Sequence, residues 1–307
     1  RAGLPANLEI RYAPELNPPL WELGHIGWFE EYWIARNPQR LRGTAADPDS
    51  ARAAPLRREA DALYHSSRVA HTQRWQLALP DAARTLDDLA RVHERTRALQ
   101  AQAGCDDDAL YFFRLALVHE EMHREAWAYM AQHLALDVGA ALARTGPQAA
   151  VEAAAGELSI GGQAFRLGRA GGGFSFDNEC GVHELELAPY AIDAAPVSWA
   201  RFLPFVEAGG YDDAALWSTE GWAWRQRSSK GRPRYLQRDD DGAWQRAVFG
   251  RWEALDPAQP AVHLSRHEAE AWCRWAGRRL PTEAEWECAA LTQGPAFAWG
   301  EVWECTA

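Results

Sequence analysis

The stretch Val118–Glu125 reads Val-His-Glu-Glu-Met-His-Arg-Glu and lies inside Ala109–Leu134, a run without glycine or proline. Such a run predicts one long helix. His119 and His123 are four residues apart, so the helix turns by about 40° and rises by about 6 Å between them. Two imidazoles at this spacing can bind one metal ion, provided that another element supplies a third ligand. The alternative is that both are ordinary core or surface histidines.

The first predicted helix offers that third ligand, His25. Asn17 is expected to cap this helix, Pro18 to occupy its first turn, and Asn37-Pro38 to end it. An inward stripe with three- or four-residue spacing is found at Trp21, His25, Trp28 and Tyr32. His25 is therefore expected to point into the same core as the two histidines of the long helix.

The long helix has its own inward stripe, at Phe112, Leu115, His119, Met122, His123, Ala126 and Tyr129. Three imidazole ligands leave coordination positions open, which suits a catalytic metal site better than a closed structural one. Glu125 lies about 200° around the helix from His123, so we expect it behind the ligands or on the helix surface. His133 lies about 15 Å farther along the helix and is not a candidate ligand.

Composition narrows the class of protein. At 307 residues the chain is long enough for two domains, and its net charge of −11 argues against nucleic acid or an anionic membrane as a partner. No apolar run approaches the length of a transmembrane helix, and no secretory signal is visible. The five cysteines are odd in number and form no Cys-x-x-Cys pair. This pattern indicates reduced thiols, so we expect a cytoplasmic protein.

The first part of the chain, residues 1–139, is helical in pattern throughout. Besides the two helices above, we expect a helix over Leu56–His65 and another over Leu86–Gln102, the latter capped by Thr85 with Asp88. Four helices of these lengths predict a four-helix bundle.

The pattern changes after this bundle. Residues 140–157 read as an alanine-rich linker, in which Ala140–Ala155 can carry a short helix, and residues 158–307 carry short strands and glycine turns. Ala164–Leu167 and His183–Leu187 alternate like half-buried strands. Helix-capping pairs follow at Ser265 with Glu268 and at Thr282 with Glu285. The fold class predicted for the whole chain is α+β.

Two sets of motifs resemble a known family. Leu23-Gly24-His25, together with His119-x-x-x-His123-x-Glu125, resembles the iron-binding half of ergothioneine synthases of the EgtB type, a DinB-like four-helix bundle. The later motifs are similar to the formylglycine-generating-enzyme fold, a C-type-lectin-like domain. They are Phe176–Glu179, Ala195–Ser198, Glu207–Tyr211, Gly221–Trp224, Arg279–Glu287 and Val302–Glu304. The resemblance covers almost the whole chain.

The resemblance implies a non-haem iron enzyme. In this family three histidines hold Fe(II), which binds O2 and the imidazole of hercynine, and a thiol sulfur is joined to the imidazole carbon. Carried over, the ligands are His25, His119 and His123, with the active site expected between the two domains. The family's active-site tyrosine is expected beyond Ala307, so the catalytic residue is unknown here and the second domain is expected to be incomplete. Further sequence is expected before Arg1.

Two departures from the family pattern bear on which substrate donates the sulfur or selenium atom. Met122 stands where those enzymes have a substrate-positioning glutamine, and methionine cannot supply an amide hydrogen bond. Tyr64–Trp75 stands where they have an arginine-rich stretch that grips the carboxylates of γ-glutamylcysteine, and its only arginines are Arg68 and Arg74. Its hydroxyl and aromatic groups suit a sugar, and a polarizable methionine tolerates a heavier chalcogen. This pattern resembles the selenoneine synthase branch, SenA, which joins a selenosugar to hercynine.

The same features leave other functions open. Met122 and the altered stretch also fit drift within an ordinary ergothioneine synthase that uses γ-glutamylcysteine or cysteine. Metal-dependent thiol transferases with DinB-like bundles use three histidines but usually lack the second domain. A formylglycine-generating enzyme needs a cysteine pair that Cys273, Cys288 and Cys305 do not reproduce. A non-enzymatic lectin-like binding module would leave the histidines without a role.

Aromatic residues of the second domain are further candidates for substrate contact. Trp222, Trp224 and Trp303 can offer aromatic faces to the trimethylammonium group of hercynine. The alternative is that they belong to the core of the lectin-like fold. The oligomeric state does not follow from the sequence.

Overall fold

The chain folds into two compact units. A computed structural model describes residues 8–138, 156–169, 171–227 and 231–307. Unit 1 comprises Arg1–Val138 with Arg169–Gly181, and unit 2 comprises Gly139–Gly168 with Val182–Ala307. The domain limits expected from the sequence stay a prediction, and the short helix expected in Ala140–Ala155 lies outside the described residues.

Unit 1 is helical and is organised around its first helix. Its described helices are α1 (Pro19–Glu30), α2 (Ala60–Tyr64), α3 (His71–Arg74), α4 (Ala82–Gln100) and α5 (Asp107–His133). A π-helical turn, Glu31–Ala35, continues α1. Because α1 packs against α2, α4 and α5, side chains on several of its faces are buried. None of the described helices in either unit is long and apolar enough to cross a membrane.

The predicted long helix is confirmed in α5. Asp106 caps it by accepting a hydrogen bond from the backbone N–H of Ala109 at 2.9 Å. The inward stripe predicted for α1 is also confirmed at Trp21, His25 and Trp28, which are all buried.

The predicted caps of α1 and α4 are wrong. Asn17 makes no capping hydrogen bond, and α1 begins at Pro19 without one. Helix α4 begins four residues earlier than expected because Asp81 accepts a hydrogen bond from the backbone N–H of Arg84 at 2.8 Å. The hydroxyl of Thr85 instead donates to the carbonyl of Asp81.

The helix predicted over Leu56–His65 is too long, since only Ala60–Tyr64 is helical. Two backbone N–H groups of the segment before it are hydrogen-bonded to residues in and just after the π-helical turn that follows α1. The N–H of Ala53 donates to the carbonyl of Arg36 at 2.9 Å, and the N–H of Leu56 donates to the carboxylate of Glu31 at 2.7 Å. These long-range hydrogen bonds favour an extended segment over another helical turn.

Unit 2 combines short antiparallel sheets with helices. Its described strands are β1 (Glu157–Ile160), β2 (Gln163–Leu167), β3 (His183–Leu187), β4 (Tyr190–Asp193), β5 (Leu236–Arg238), β6 (Trp244–Val248) and β7 (Arg251–Ala254). β1 pairs with β4, β2 pairs with β3, and β5, β6 and β7 form one sheet. Both predicted strands are confirmed, as parts of the β2–β3 pair with Gln163 opposite Leu187.

The helices of unit 2 begin at strong local signals. They are α6 (Trp199–Glu207), α7 (Thr219–Arg227), α8 (Arg266–Trp275) and α9 (Glu283–Thr292). Ser265 and Glu268 cap α8 reciprocally, and Thr282 and Glu285 do the same for α9, as predicted. One core cluster centres on Trp199, Phe202 and Phe205, and a second on Ile160, Phe165 and Cys288. The α+β class is thereby confirmed.

The segment that joins β2 to β3 belongs to unit 1. Within Arg169–Gly181, the backbone N–H of Gly173 donates to the carboxylate of Asp107 at 2.7 Å. The ring of Phe174 lies 5.4 Å from that of Tyr111. Unit 1 is therefore built from two separate stretches of sequence, joined at the first turns of α5.

Candidate metal centre

Three histidines from two helices of unit 1 meet in its interior. His25 lies on α1, and His119 and His123 lie one helical turn apart on α5. One ring nitrogen of each lies within 4.8 Å of the other two. The Nε2 atoms of His119 and His123 are 3.2 Å apart. The packing of α1 on α5 thus brings together the three residues that the sequence singled out.

The backbone of Tyr64 determines which nitrogen of His25 faces the cluster. His25 Nδ1 lies 2.8 Å from the carbonyl oxygen of Tyr64. A carbonyl can only accept, so Nδ1 carries the proton and Nε2 keeps its lone pair. The His25 ring is stacked between Trp21, at 4.7 Å, and Trp28, at 5.5 Å. Its orientation is therefore fixed by a hydrogen bond and two aromatic faces.

Gly24 makes this contact possible. A Cβ at residue 24 would lie 2.3 Å from two ring carbons of Tyr64, closer than any real contact allows. The glycine lets α2 approach α1 closely enough for the carbonyl of Tyr64 to reach His25. The Leu23-Gly24-His25 motif thus has a packing reason for its middle residue.

Burial keeps His25 and His119 neutral. Desolvation lowers the pKa of His25 to about 4, although its hydrogen bond to Tyr64 acts in the opposite direction. Desolvation also lowers the pKa of His119 to about 2, helped by the neighbouring His123 and His25. The His119 ring is stacked on Phe29 with centroids 3.6 Å apart. At neutral pH these rings carry no charge, and neutral imidazole is the form that binds metal.

The donor set fits a transition metal ion. Nitrogens bound to one ion through bonds of about 2.1 Å lie about 3.0–3.4 Å apart, and the 3.2 Å between the Nε2 atoms of His119 and His123 falls within this range. Imidazole donors suit iron, zinc, copper and nickel. Among the described residues, no cysteine or carboxylate joins these histidines in a possible metal-binding group. Positions for other ligands would remain open.

The inward position predicted for two residues of the α5 stripe is wrong. Met122 is 55% exposed and Tyr129 is 50% exposed. They are seven residues apart and so lie on one side of α5, whereas the buried side of this helix passes through Phe112, Ala126 and Met130. Met122 is adjacent to His123 in sequence but turns toward the exposed side because each residue rotates the helix by about 100°.

The other predicted residues of unit 1, Glu125, Arg68 and Arg74, differ in how far they are exposed and in their contacts. Glu125 is exposed on α5, which agrees with a place on the helix surface, and Arg68 is exposed after α2. Arg74 is anchored instead. Its guanidinium lies 4.0 Å from the ring centroid of Trp21 and donates to the side chain of Asn17 and the carbonyls of Val69 and Ser66.

The predicted tryptophans belong to unit 2. Trp222 and Trp224 are half-buried and pack against its larger core cluster. Trp224 also lies 6.2 Å from Trp217 in a stacked arrangement. Trp303 is 87% exposed. The first two therefore take part in the packing of unit 2, while Trp303 presents its indole at the surface.

Glu22 was not predicted from the sequence as a residue of this site. Its side chain is only 1% exposed, and one carboxylate oxygen lies 3.5 Å from Nδ1 of His123. The available signal was a glutamate next to the apolar Trp21, three residues before His25. Because a buried carboxylate needs a partner, its position in an inward stretch could have marked it.

Comparisons with known proteins agree with the two-part organisation. Residues 3–135 match the model of the DinB superfamily, and residues 142–307 match the model of the sulfatase-modifying factor enzyme 1-like domain. The hercynine oxygenase of Mycolicibacterium smegmatis is 34% identical over 308 residues, covering 96% of this chain and 67% of the relative. The chain belongs to the EgtB-like hercynine oxygenase family.

Further relatives of this EgtB-like family member cover different parts of the chain. The hercynine oxygenase of Mycobacterium tuberculosis is 34% identical, over 92% of this chain and 64% of the relative. The formylglycine-generating enzyme of Streptomyces coelicolor is 37% identical over 53% of this chain and 56% of its own length. The chain thus spans about two thirds of the length of the hercynine oxygenases that it matches.

Proposed function

We propose that this protein is a non-haem Fe(II) enzyme that uses O2 to form a carbon–selenium bond between hercynine and a selenosugar. The observation that carries the proposal is the cluster of three imidazoles, His25, His119 and His123, in a chain whose relatives are named hercynine oxygenases. In this proposal the three histidines hold the iron. The ion, when bound, supplies coordination positions and electrons for chemistry with O2.

The chain's own residues prepare the site for such an ion. The carbonyl of Tyr64 keeps the proton of His25 on Nδ1, so that Nε2 is available as a ligand. Trp21, Trp28 and Phe29 cover the faces of His25 and His119 and keep water from them. Three neutral ligands leave the charge of the ion uncompensated, which favours the binding of anionic ligands such as a selenolate.

The contacts of Arg74 support a sugar donor over γ-glutamylcysteine. Its guanidinium donates to Asn17, Val69 and Ser66 and lies over Trp21. An arginine held by three acceptors of the protein is poorly placed to grip a substrate carboxylate. A donor without carboxylates does not need such a grip. Arg68 and Met122 are both exposed, and Met122 has no amide with which to hold a donor carboxylate.

A donor competition tests the proposal. The protein is loaded with Fe(II) and incubated in air with hercynine and equal amounts of selenoglucose, γ-glutamylcysteine and cysteine, and the conjugates are identified by mass spectrometry. We expect the selenium-linked hercynine conjugate as the main product. A sulfur-linked conjugate as the main product would assign the chain to ergothioneine-type synthesis, the alternative that the names of the relatives favour.

The same assay without O2 separates a second alternative. A DinB-type thiol transferase would use the three histidines to bind a metal that lowers a thiol pKa, and it would not consume O2. Transfer under anaerobic conditions would therefore replace our proposal with that activity. No product from any donor, with one ion bound per chain, would contradict both enzyme classes.

The cysteines support a reducing compartment as part of this proposal. All five are free thiols, and Cys273 and Cys288 are buried. Burial raises the pKa of Cys273 to about 11, which keeps this thiol protonated and unreactive at neutral pH. We therefore place the proposed reaction in the cytoplasm.

A further inference from the structure

We propose that Glu22 is a positioning residue of the metal centre, which accepts a hydrogen bond from Nδ1 of His123 and so directs Nε2 of that ring to the ion. This inference rests on the proposed metal-binding function. Glu22 lies on α1, three residues before His25, while His123 lies on α5. The interaction would therefore join the same two helices that supply the ligands.

Two buried atoms without partners point to this hydrogen bond. Among the described residues, Nδ1 of His123 and Oε2 of Glu22 are buried and make no hydrogen bond. Oε1 of Glu22 lies 3.5 Å from the same Nδ1. Buried polar groups almost always have a partner, and each of these groups is the other's neighbour. A small rotation of either side chain brings an oxygen within hydrogen-bonding distance.

Neighbouring residues hold the carboxylate in place. Asn17 donates from Nδ2 to Oε1 of Glu22 at 3.2 Å, and Arg74 donates to Oδ1 of the same asparagine at 2.8 Å. The side-chain amide of Asn17 thus lies between the cationic guanidinium of Arg74 and the carboxylate of Glu22 and is hydrogen-bonded to both. This arrangement stabilises a buried negative charge, which would otherwise be costly. It also explains why Asn17 does not cap α1.

The three histidines differ in what else orients them. His25 has the carbonyl of Tyr64 and two indole faces, and His119 has the stacked ring of Phe29. The ring contacts of His123, within the described part of the chain, are with the other two histidines. Its orientation therefore depends on a hydrogen-bond partner, and Glu22 is in the position to be one.

A carboxylate partner affects a histidine ligand in two ways. It keeps the proton on Nδ1, so that Nε2 has a free lone pair, and it increases the basicity of that lone pair. Loss of such an outer partner typically weakens metal binding by about 10- to 100-fold. We therefore expect Glu22 to act on metal affinity and on the tautomer of His123 without touching the ion itself.

Anaerobic titration with Co(II), followed by visible absorption and by competition with a chelator, tests this on the full chain. We expect Glu22→Ala to weaken Co(II) binding by about 10- to 100-fold and Glu22→Gln to have a smaller effect, because an amide oxygen still accepts a hydrogen bond. Glu31→Gln is the matched control, since Glu31 follows α1, is 3% exposed and bonds to Leu56 away from the histidines. It should bind Co(II) like the original protein.

A second measurement covers the case in which Glu22→Ala does not fold. Nitrogen-15 NMR of the Zn(II)-loaded original protein should show His123 protonated on Nδ1, with its proton shifted by a strong hydrogen bond, and Glu22→Gln should reduce that shift. Unchanged Co(II) affinity in both Glu22 variants, or an unprotonated Nδ1, would overturn this inference alone. Failure of the original protein to bind any of these ions would overturn the proposed function as well.

Discussion

At the scale of single residues, two different features of the structure prepare the histidines of the cluster to bind a metal ion. The rings must be neutral, and burial provides this by lowering the pKa of His25 and His119 well below neutrality. They must also present the correct nitrogen, and for His25 the carbonyl of Tyr64 decides that. Because neither ring holds an extra proton at neutral pH, an incoming ion does not have to displace one.

Removing any one of the three imidazoles should abolish metal retention. We expect His25→Ala, His119→Ala and His123→Ala each to lose the bound ion and turnover, because two neutral nitrogens hold it weakly. Metal analysis after gel filtration measures the result. His93→Ala is the control, since His93 lies on α4 with its side chain 59% exposed. One ion per chain and a full rate in any of the three variants would refute the assignment of that ligand.

Met122 offers a separate test of the donor. We expect Met122→Gln to move donor preference toward γ-glutamylcysteine by about 2- to 10-fold, since a new hydrogen bond contributes about 0.5–1.5 kcal/mol. Stability should change by less than about 0.5 kcal/mol because residue 122 is exposed. Leu117→Gln, at another exposed apolar position of α5, controls for added polarity. An unchanged product ratio in the donor competition would mean that Met122 does not select the donor.

At the scale of helices, the contact of α2 with α1 depends on the missing side chain at residue 24. We expect Gly24→Ala to destabilise the protein by about 1–3 kcal/mol, because the added Cβ overlaps the Tyr64 ring. Metal affinity should also fall, since the Tyr64 carbonyl would move from His25. Urea unfolding and Co(II) titration measure the two effects. At Gly161 a Cβ meets nothing within 4 Å, so Gly161→Ala should change neither.

An ion pair between α2 and the residue that follows the π-helical turn after α1 makes a contribution that depends on pH. Arg36, only 3% exposed, donates two hydrogen bonds to Asp61 of α2, and Trp28 donates a third. The hydrogen bond from Arg36 is the main reason that the pKa of Asp61 falls from 3.8 to about 2. Because the folded state has the lower pKa, this contribution is complete above about pH 4 and is lost as the pH falls to about 2.

The ion pair can be tested by unfolding at several pH values. We expect Asp61→Asn to be less stable than the original protein at neutral pH, and we expect the difference to shrink between about pH 4 and about pH 2. Glu59→Gln, at an exposed residue just before α2, should keep the original pH profile. A difference that stays constant across this range would show that Asp61 does not titrate as described.

Signals that act within one turn of helix were readable from the sequence. The capping pairs at Ser265 and Thr282 and the uninterrupted run of α5 are local, and each gave the correct element. The start of α4 was missed because Asp81 and Thr85 are both good caps, and local pattern does not choose between them. The short α2 was missed because long-range hydrogen bonds to Arg36 and Glu31 decide its start.

In the candidate site, too, the local features could be predicted from the sequence and the long-range contacts could not. The spacing of His119 and His123 follows from helix geometry, whereas their meeting with His25 depends on how α1 packs on α5. Met122 and Tyr129 were misassigned because residues at the edge of an apolar stripe turn inward or outward according to the neighbouring helix. Glu22 was missed because the buried partner of a carboxylate lies 101 positions away, on α5.

At the scale of the whole molecule, each unit has its own buried core, so metal binding should stabilise them unequally. We expect Zn(II) to slow hydrogen exchange in α1 and α5, with little change in α8 and α9. Binding to the folded state adds about 2.7 kcal/mol at 100 times the Kd. Mass spectrometry of deuterium uptake measures this, and His119→Ala treated with Zn(II) is the control. Equal protection in both units, or none in α1 and α5, would contradict the expectation.

Because unit 1 includes a segment that is translated well after its helices, it cannot form all its contacts as soon as those helices are made. Its bundle helices end at His133, but the segment whose Gly173 binds Asp107 is translated only after β1 and β2. A nascent chain that has just completed α5 therefore still lacks the contacts that Gly173 makes with Asp107 and Phe174 makes with Tyr111. The ribosome must add about 40 more residues, or several seconds of synthesis, before these contacts can close the start of α5.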